Sequence, residues 1–165
     1  MIGPMEEIVL ADLGSEAHGS ALLEVLSRYV EEPGISGSPL PEAVRKRVVD
    51  ALREHPTTEV LLAFDSGRPL GMAVCFVSFS TFRARRVLNV HDLAVVAEAR
   101  GRGLGRRLLQ AVQERARALD CCKLTLEVLE DNHVARSLYQ SFGFGDYAPG
   151  QVQKPTFFLE KPLDP

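Results

Sequence analysis

Only three cysteines occur in the 165 residues, Cys75, Cys121 and Cys122. Their number is odd, their spacing is not that of a zinc site, and neighbours such as Cys121 and Cys122 rarely bridge each other. A disulfide framework is therefore excluded, and the expected surroundings are reducing. No charge of one sign dominates: 19 Lys and Arg stand against 22 Asp and Glu, a formal net charge of -3 with a pI near 5.8. Such a balance gives no global attraction to nucleic acid or to an anionic membrane, so neither is an expected partner and any basic site is local. No run approaches the roughly 18 apolar residues of a membrane span. The first residues, "MIGPMEEIVLADLG", have no basic segment leading into an apolar stretch, so no targeting signal is expected and the location is read as cytoplasmic. Internal repeats, low-complexity tracts and linkers are absent as well. With 45% hydrophobic and 25% charged residues, the composition is that of one soluble domain spanning residues 1–165.

What the chain does contain is a mixed order of elements. "EEIVLADL" predicts a short strand, and the spacing of Ala21, Leu22, Val25, Leu26 and Tyr29 predicts a helix. After "PGISGSPLP", a second helix is expected with Pro41 at its first turn and Val44, Val48, Val49 and Leu52 along one face. "TEVLLAFDSGRPLGMAVCFVSFS" predicts two strands joined by a tight turn, and "VLNVHDLAVV" a third after the basic link "RARR". A helix over about residues 103 to 119, the strand "KLTLEVLE", a helix capped by Asn132, a strand after "GFGDY" and a last strand "TFFLEK" complete the order. This is an α+β, or mixed α/β, sheet with helices on its faces.

The stretch "ARGRGLGRRLL" stands out, because Gly101, Gly103 and Gly105 precede a helix that glycine weakens. A strand leading through a glycine turn into a helix gathers free backbone N–H groups at the positive end of the helix dipole, which suits a phosphate. A tight turn with solvated arginines is the plainer reading of the same residues. A Walker loop requires Lys and then Ser or Thr after its last glycine, and here Arg106 and Arg107 follow Gly105. The dinucleotide pattern Gly-x-Gly-x-x-Gly fails as well, since its third position is Arg106 or Leu108.

Arg100, Gly103 and Gly105 do form Arg-x-x-Gly-x-Gly, which resembles the acyl-CoA pyrophosphate loop of the GNAT (Gcn5-related) N-acetyltransferases. Downstream, "LEVLEDNHVARSLYQSFGF" is similar to that family's second signature through Asn132, Ala135, Tyr139, Gly143 and Phe144, and "HDLAV" resembles the strand that lines the acyl group. The matching motifs fill residues 90–145. The resemblance implies a mostly antiparallel mixed sheet of six to seven strands, helices on both faces and a splay between the fourth and fifth strands. It implies acetyl-CoA as cosubstrate, with no metal. The backbone around Leu93 and Val95 would pair with pantetheine, and Arg100, Gly101, Arg102, Gly103, Leu104, Gly105 and Arg106 would form the pyrophosphate loop. Asn132 and Ala135 join the cofactor residues on the same ground.

Tyr139 matches the family's proton donor to the CoA sulfur, although the apolar face beside Ala135 and Phe142 is another use for it. For the base, His91 and Asp92 stand where the polyamine-acetylating branch carries two acidic residues. The histidine is a departure that would attract a polycation less strongly. Strand alternation sends His91 and Asp92 to opposite faces unless a bulge intervenes, so a satisfied strand histidine remains open. Glu127, the segment Ser78, Ser80, Thr81 and Arg83, and His133 fit surface roles at least as well as functional ones, and Cys121 and Cys122 suit buried small thiols. The implied activity is transfer of acetyl to a primary amine, first a small cationic or amino-acid-like molecule. A non-catalytic acyl-CoA sensor and a protein lysine or N-terminal acetyltransferase are the alternatives. Family habit allows a homodimer, and nothing in the chain requires one.

Overall fold

A hairpin organises the sheet. Two left-handed residues, Ser66 (φ 52°) and Gly67 (φ 80°), turn the chain tightly between β2 (Thr58–Asp65) and β3 (Arg68–Ser80), a conformation whose twist matches that of paired strands. In the computed structural model, which describes residues 6–145 and 158–163, β1 (Glu6–Leu10) pairs antiparallel with β2, and β4 (Arg85–Val95) pairs antiparallel with β3. A short β5 (Leu124–Leu126) adds to β4 in parallel, so the order is β1-β2-β3-β4-β5. The helices are α1 (Glu16–Val30), α2 (Glu42–Glu54), α3 (Leu104–Ala118) and α4 (His133–Phe142).

The chain divides into two compact units, residues 1–127 and 128–165. Within the first, Val60–Ala63 of β2 and Leu70–Cys75 of β3 are buried at consecutive positions, the pattern of strands covered on both faces. The covers are α1, through Leu22 and Val25, and α3, through Leu104, Leu108 and Val112. Each fully buried leucine here contributes roughly 1.5–3 kcal/mol over an exposed one. Space is tightest at Gly71, where a Cβ would lie 2.9 Å from the Ala94 carbonyl oxygen and 3.0 Å from Leu108 Cδ1. In contrast, α2 buries none of its residues: Val48, Val49 and Leu52 are half-covered and Val44 is 43% exposed. In the second unit, Asn132 caps α4 as expected, accepting from Ala135 N–H at 3.1 Å.

Two expectations need correction. Among the described residues the sheet has five strands, not six to seven: Phe158–Lys161 of "TFFLEK" lack regular structure, and the rest of that segment and the strand after "GFGDY" lie outside the described residues. The strand "KLTLEVLE" is three residues long, not eight: its ladder with β4 ends at Val90↔Leu126, and among the described residues no other strand pairs with the residues beyond.

Candidate functional site

The early end of that ladder creates the first feature of the site. Side-chain and backbone bonds zip β4 to β5 as far as Asn89, whose Nδ2 donates to Thr125 Oγ1 at 3.1 Å. From His91 to Val95, β4 continues along β3 but has no described strand on its other side. Leu93 and Val95, both half-buried, lie on this open length. An exposed strand edge accepts an extended, hydrogen-bonding ligand as an additional strand.

Past Val95 the chain makes a single 3-10 turn (Ala97–Ala99) and enters the glycine loop. Gly101 (φ 75°) and Gly103 (φ 79°) are left-handed, and a Cβ on either would meet no protein atom within 4 Å. What requires glycine is thus the backbone conformation. Gly103 precedes α3 without a capping side chain, and the first helical bond runs from Arg107 N–H to the Gly103 carbonyl at 3.1 Å. Helix geometry leaves the amides of Leu104 and Gly105 without an acceptor inside α3, facing the positive end of its dipole.

The arginines around the loop are not loose charges. Arg100 folds back on the chain, donating from Nε to the Val95 carbonyl at 2.9 Å and pairing through its guanidinium with Glu32 beyond α1. Arg107 pairs with Glu6 of β1, a carboxylate only 10% exposed, and Arg102 lies 4.0 Å from the same side chain. Arg106 has an interaction of its own.

At the other end of the open strand a bulge resolves the alternation problem. Val74 faces Asp92 while Cys75 faces Val90, so His91 is the additional residue on β4. A bulge breaks strict alternation, so His91 and Asp92 are not forced to opposite faces. The His91 ring meets Phe76 edge-on at 5.5 Å, and His55, at the end of α2, meets the same ring at 5.0 Å. A groove of about 520 Å³ opens between α2 and β3, bounded by Val48, Ala51, Leu52, Phe76 and the two imidazoles. Asp92 is half-covered; burial pushes its carboxyl above its ordinary pKa, against a lowering from neighbouring His91. Burial likewise raises the hydroxyl of Tyr29 on α1, with the charges of Asp92 and Glu32 adding to it.

In the second unit, Asn132 and Ala135 form the first turn of α4, and half-buried Tyr139 meets Phe144 edge-on at 5.8 Å. Among other candidates, Ser78 donates to the Val87 carbonyl at 3.4 Å, and Glu127 and His133 are exposed. Cys75 is buried with its thiol pushed up to about 12, first by burial and then by Glu59 and Asp92, and burial raises Cys121 too. A thiol held protonated in this way is a weaker nucleophile. Sequence reasoning passed over His55, Phe76, Glu32 and Glu6, and saw Tyr29 only as one residue of an apolar helix face. No short-range pattern marks any of them, since each joins the site through contacts distant along the chain.

Among the described residues, the mixed sheet leaves one strand edge open beside a glycine turn and a helix N-terminus. Residues 21–144 match the model of the Acetyltransferase (GNAT) family, three quarters of the chain, and the protein belongs to that family. It is similar to an uncharacterized N-acetyltransferase, YhfO, of Bacillus subtilis (34% identity; 55% of this chain, 61% of that protein) and to thialysine N-epsilon-acetyltransferase of Bos taurus (34%; 47% and 45%). The matches thus span about half the length of these relatives. A longer match joins it to glucosamine 6-phosphate N-acetyltransferase of Trypanosoma brucei brucei (28%; 78% and 84%). The fold is shared with an aminoglycoside N-acetyltransferase solved in complex with CoA (TM-score 0.71, 16% identity, 93% of this chain and 96% of the other).

Proposed function

We propose that the protein is an acetyl-CoA-dependent N-acetyltransferase acting on a primary amine of a small cationic or amino-acid-like molecule. The observation that carries this reading is the open length of β4, His91–Val95, leading into the left-handed glycines that begin α3. An open strand edge fits the amide-bearing pantetheine arm, through the backbone of Leu93 and Val95. The amides of Leu104 and Gly105 at the start of a 15-residue helix fit a pyrophosphate. Gly101 and Gly103 make the turn that presents those amides, and Arg100 secures it through the Val95 carbonyl and Glu32. Arg102 and Arg106 flank the loop and complete the charge around the phosphates. By family resemblance, Asn132 and Ala135 complete the cofactor contacts from α4.

Acetyl-CoA supplies the activated acyl group; the chain's own work is to orient the amine and move two protons. An alkyl ammonium with a pKa of ~10.4 is mostly protonated at pH 7, a deficit of about 4–5 kcal/mol. Asp92, with a carboxyl made more basic by burial, attracts the ammonium and takes its proton, with neighbouring His91 able to relay it to solvent. Tyr139 is assigned the second proton transfer, to the departing thiolate: a thiol of pKa ~8.5 is a good leaving group beside a phenol of pKa ~10. The named substrates of two relatives, thialysine and glucosamine 6-phosphate, both carry a primary amine.

The test is a free-thiol assay with acetyl-CoA over a panel of primary amines, with the acetylated product identified by mass. Amine-dependent thiol release with a matching acetylated amine is the expected result. Acetyl-CoA binding without any such release would make the protein a coenzyme sensor and refute the proposal.

A further inference from the structure

We propose that the groove between α2 and β3 receives the body of the acceptor, and that this acceptor is an arylalkylamine: one ammonium group on an apolar, planar frame. The inference rests on the acetyl-transfer reading and names its substrate class. At about 520 Å³ the groove has the size of a small-molecule site. Val48, Ala51 and Leu52 form its helical wall, and Phe76 meets both His55 and His91 edge-on. An aromatic ring entering the groove can pair offset-stacked or edge-to-face with these three rings.

Charge narrows the choice. None of the described residues bounding the groove is Asp, Glu, Lys or Arg. A second ammonium of a polyamine, or the phosphate of a sugar phosphate, would enter without a counter-charge. The donor of Ser78 is already used on the Val87 carbonyl, and Thr57 lies 3.4 Å from His55 Nδ1. For the several hydroxyls of a sugar the groove offers only its imidazole nitrogens and the remaining lone pairs of two hydroxyls. The nearest carboxylate along β4 is Asp92, next to His91, and it suits one ammonium at the open strand edge. The weak burial of α2 has the same explanation, because its apolar stripe lacks a cover that a ring in the groove would supply.

The experiment compares 2-phenylethylamine, n-propylamine, spermidine and glucosamine 6-phosphate as acceptors, by thiol release and by NMR of the His55 and His91 imidazole protons with CoA bound. We expect kcat/KM for 2-phenylethylamine to exceed that for n-propylamine by on the order of tenfold, the gain from burying a ring. Ala51→Phe, at an exposed helical position, fills the groove and should return that ratio towards one. 2-Phenylethylamine should shift both imidazoles, and spermidine should not. Turnover of spermidine or glucosamine 6-phosphate in preference to 2-phenylethylamine, with unmoved imidazoles, would overturn the inference and leave acetyl transfer standing. Shifted imidazoles without thiol release from any amine would support the groove and refute acetyl transfer instead.

Discussion

Gly103 offers the sharpest test of the donor site, because its two functions can be separated. Its φ of 79° costs an ordinary residue about 1–2 kcal/mol, whereas asparagine tolerates that region better. A new side chain meets no protein atom within 4 Å, so neither substitution clashes with the fold. Gly103→Ala should therefore lower Tm by about 2–8 °C, at roughly 2–4 °C per kcal/mol for a chain of this size. Gly103→Asn should lower it less. If the open space over the loop belongs to a pyrophosphate, the larger asparagine must still weaken acetyl-CoA. Losing one hydrogen bond to a charged group, about 1.5–3 kcal/mol, raises Kd by at least about tenfold. Calorimetric titration of both variants beside thermal melts reads the two effects independently. The reasoning is refuted if Gly103→Asn binds acetyl-CoA like the parent, or if affinity follows Tm across the pair, for then glycine serves only the turn.

Asp92→Asn should raise Tm at pH 7 while lowering kcat by about 10²-fold or more, the scale of a positioned base. The sign follows from the raised carboxyl: its contribution to stability is complete below the ordinary pKa of ~3.9 and is lost as pH rises through the higher folded value. Melts of the two proteins should thus converge in acid, and a lower Tm for the variant at pH 7 would contradict the burial argument. Tyr139→Phe should reduce kcat by about 10²–10⁴ with acetyl-CoA affinity retained, and normal turnover would remove the tyrosine from the mechanism. Gly71→Ala should destabilise the protein by about 1–3 kcal/mol, because the obstructing Ala94 oxygen is backbone and cannot swing aside; an unchanged denaturation midpoint would show that the sheet yields there.

The hairpin turn, the glycine turn before α3 and the cap at Asn132 were legible because each is decided by a few adjacent residues. Ser66 and Gly67 can hold the turn conformation, and Asn132 can cap without help from elsewhere. The length of β5 was not legible. "KLTLEVLE" has strand chemistry throughout, but a strand needs a neighbour, and its ladder stops at Val90. The bulge at His91 was foreseeable only as a condition, since it depends on the register of β4 against Val74 and Cys75. The acceptor groove was hidden for the same reason: His55, Phe76 and His91 are scattered along the chain and meet only after α2 lies over β3.

The arginine cluster shows how the same gap between local and distant information bears on mechanism. In sequence, Arg100, Arg102, Arg106 and Arg107 look like surplus positive charge awaiting phosphates. In the folded chain, Arg100 meets Glu32 from 68 positions away, and Glu6 of β1 lies beside both Arg102 and Arg107. Those carboxylates cancel part of the field that the arginines would project. Among the described residues no carboxylate bonds the amides of the glycine turn or of the start of α3, and their orientation is set by the backbone. The proposed pyrophosphate contact therefore rests on the amides at the start of α3 more than on guanidinium charge. Arg100 acts one step behind them: by bonding the last carbonyl of β4 and the residue beyond α1 together, it couples the open strand edge to the helix whose Tyr29 faces Asp92 electrostatically. On the proposed reading, in which the loop holds the coenzyme and Asp92 the amine, this one ion pair gives bound coenzyme a physical route to influence where the amine is held.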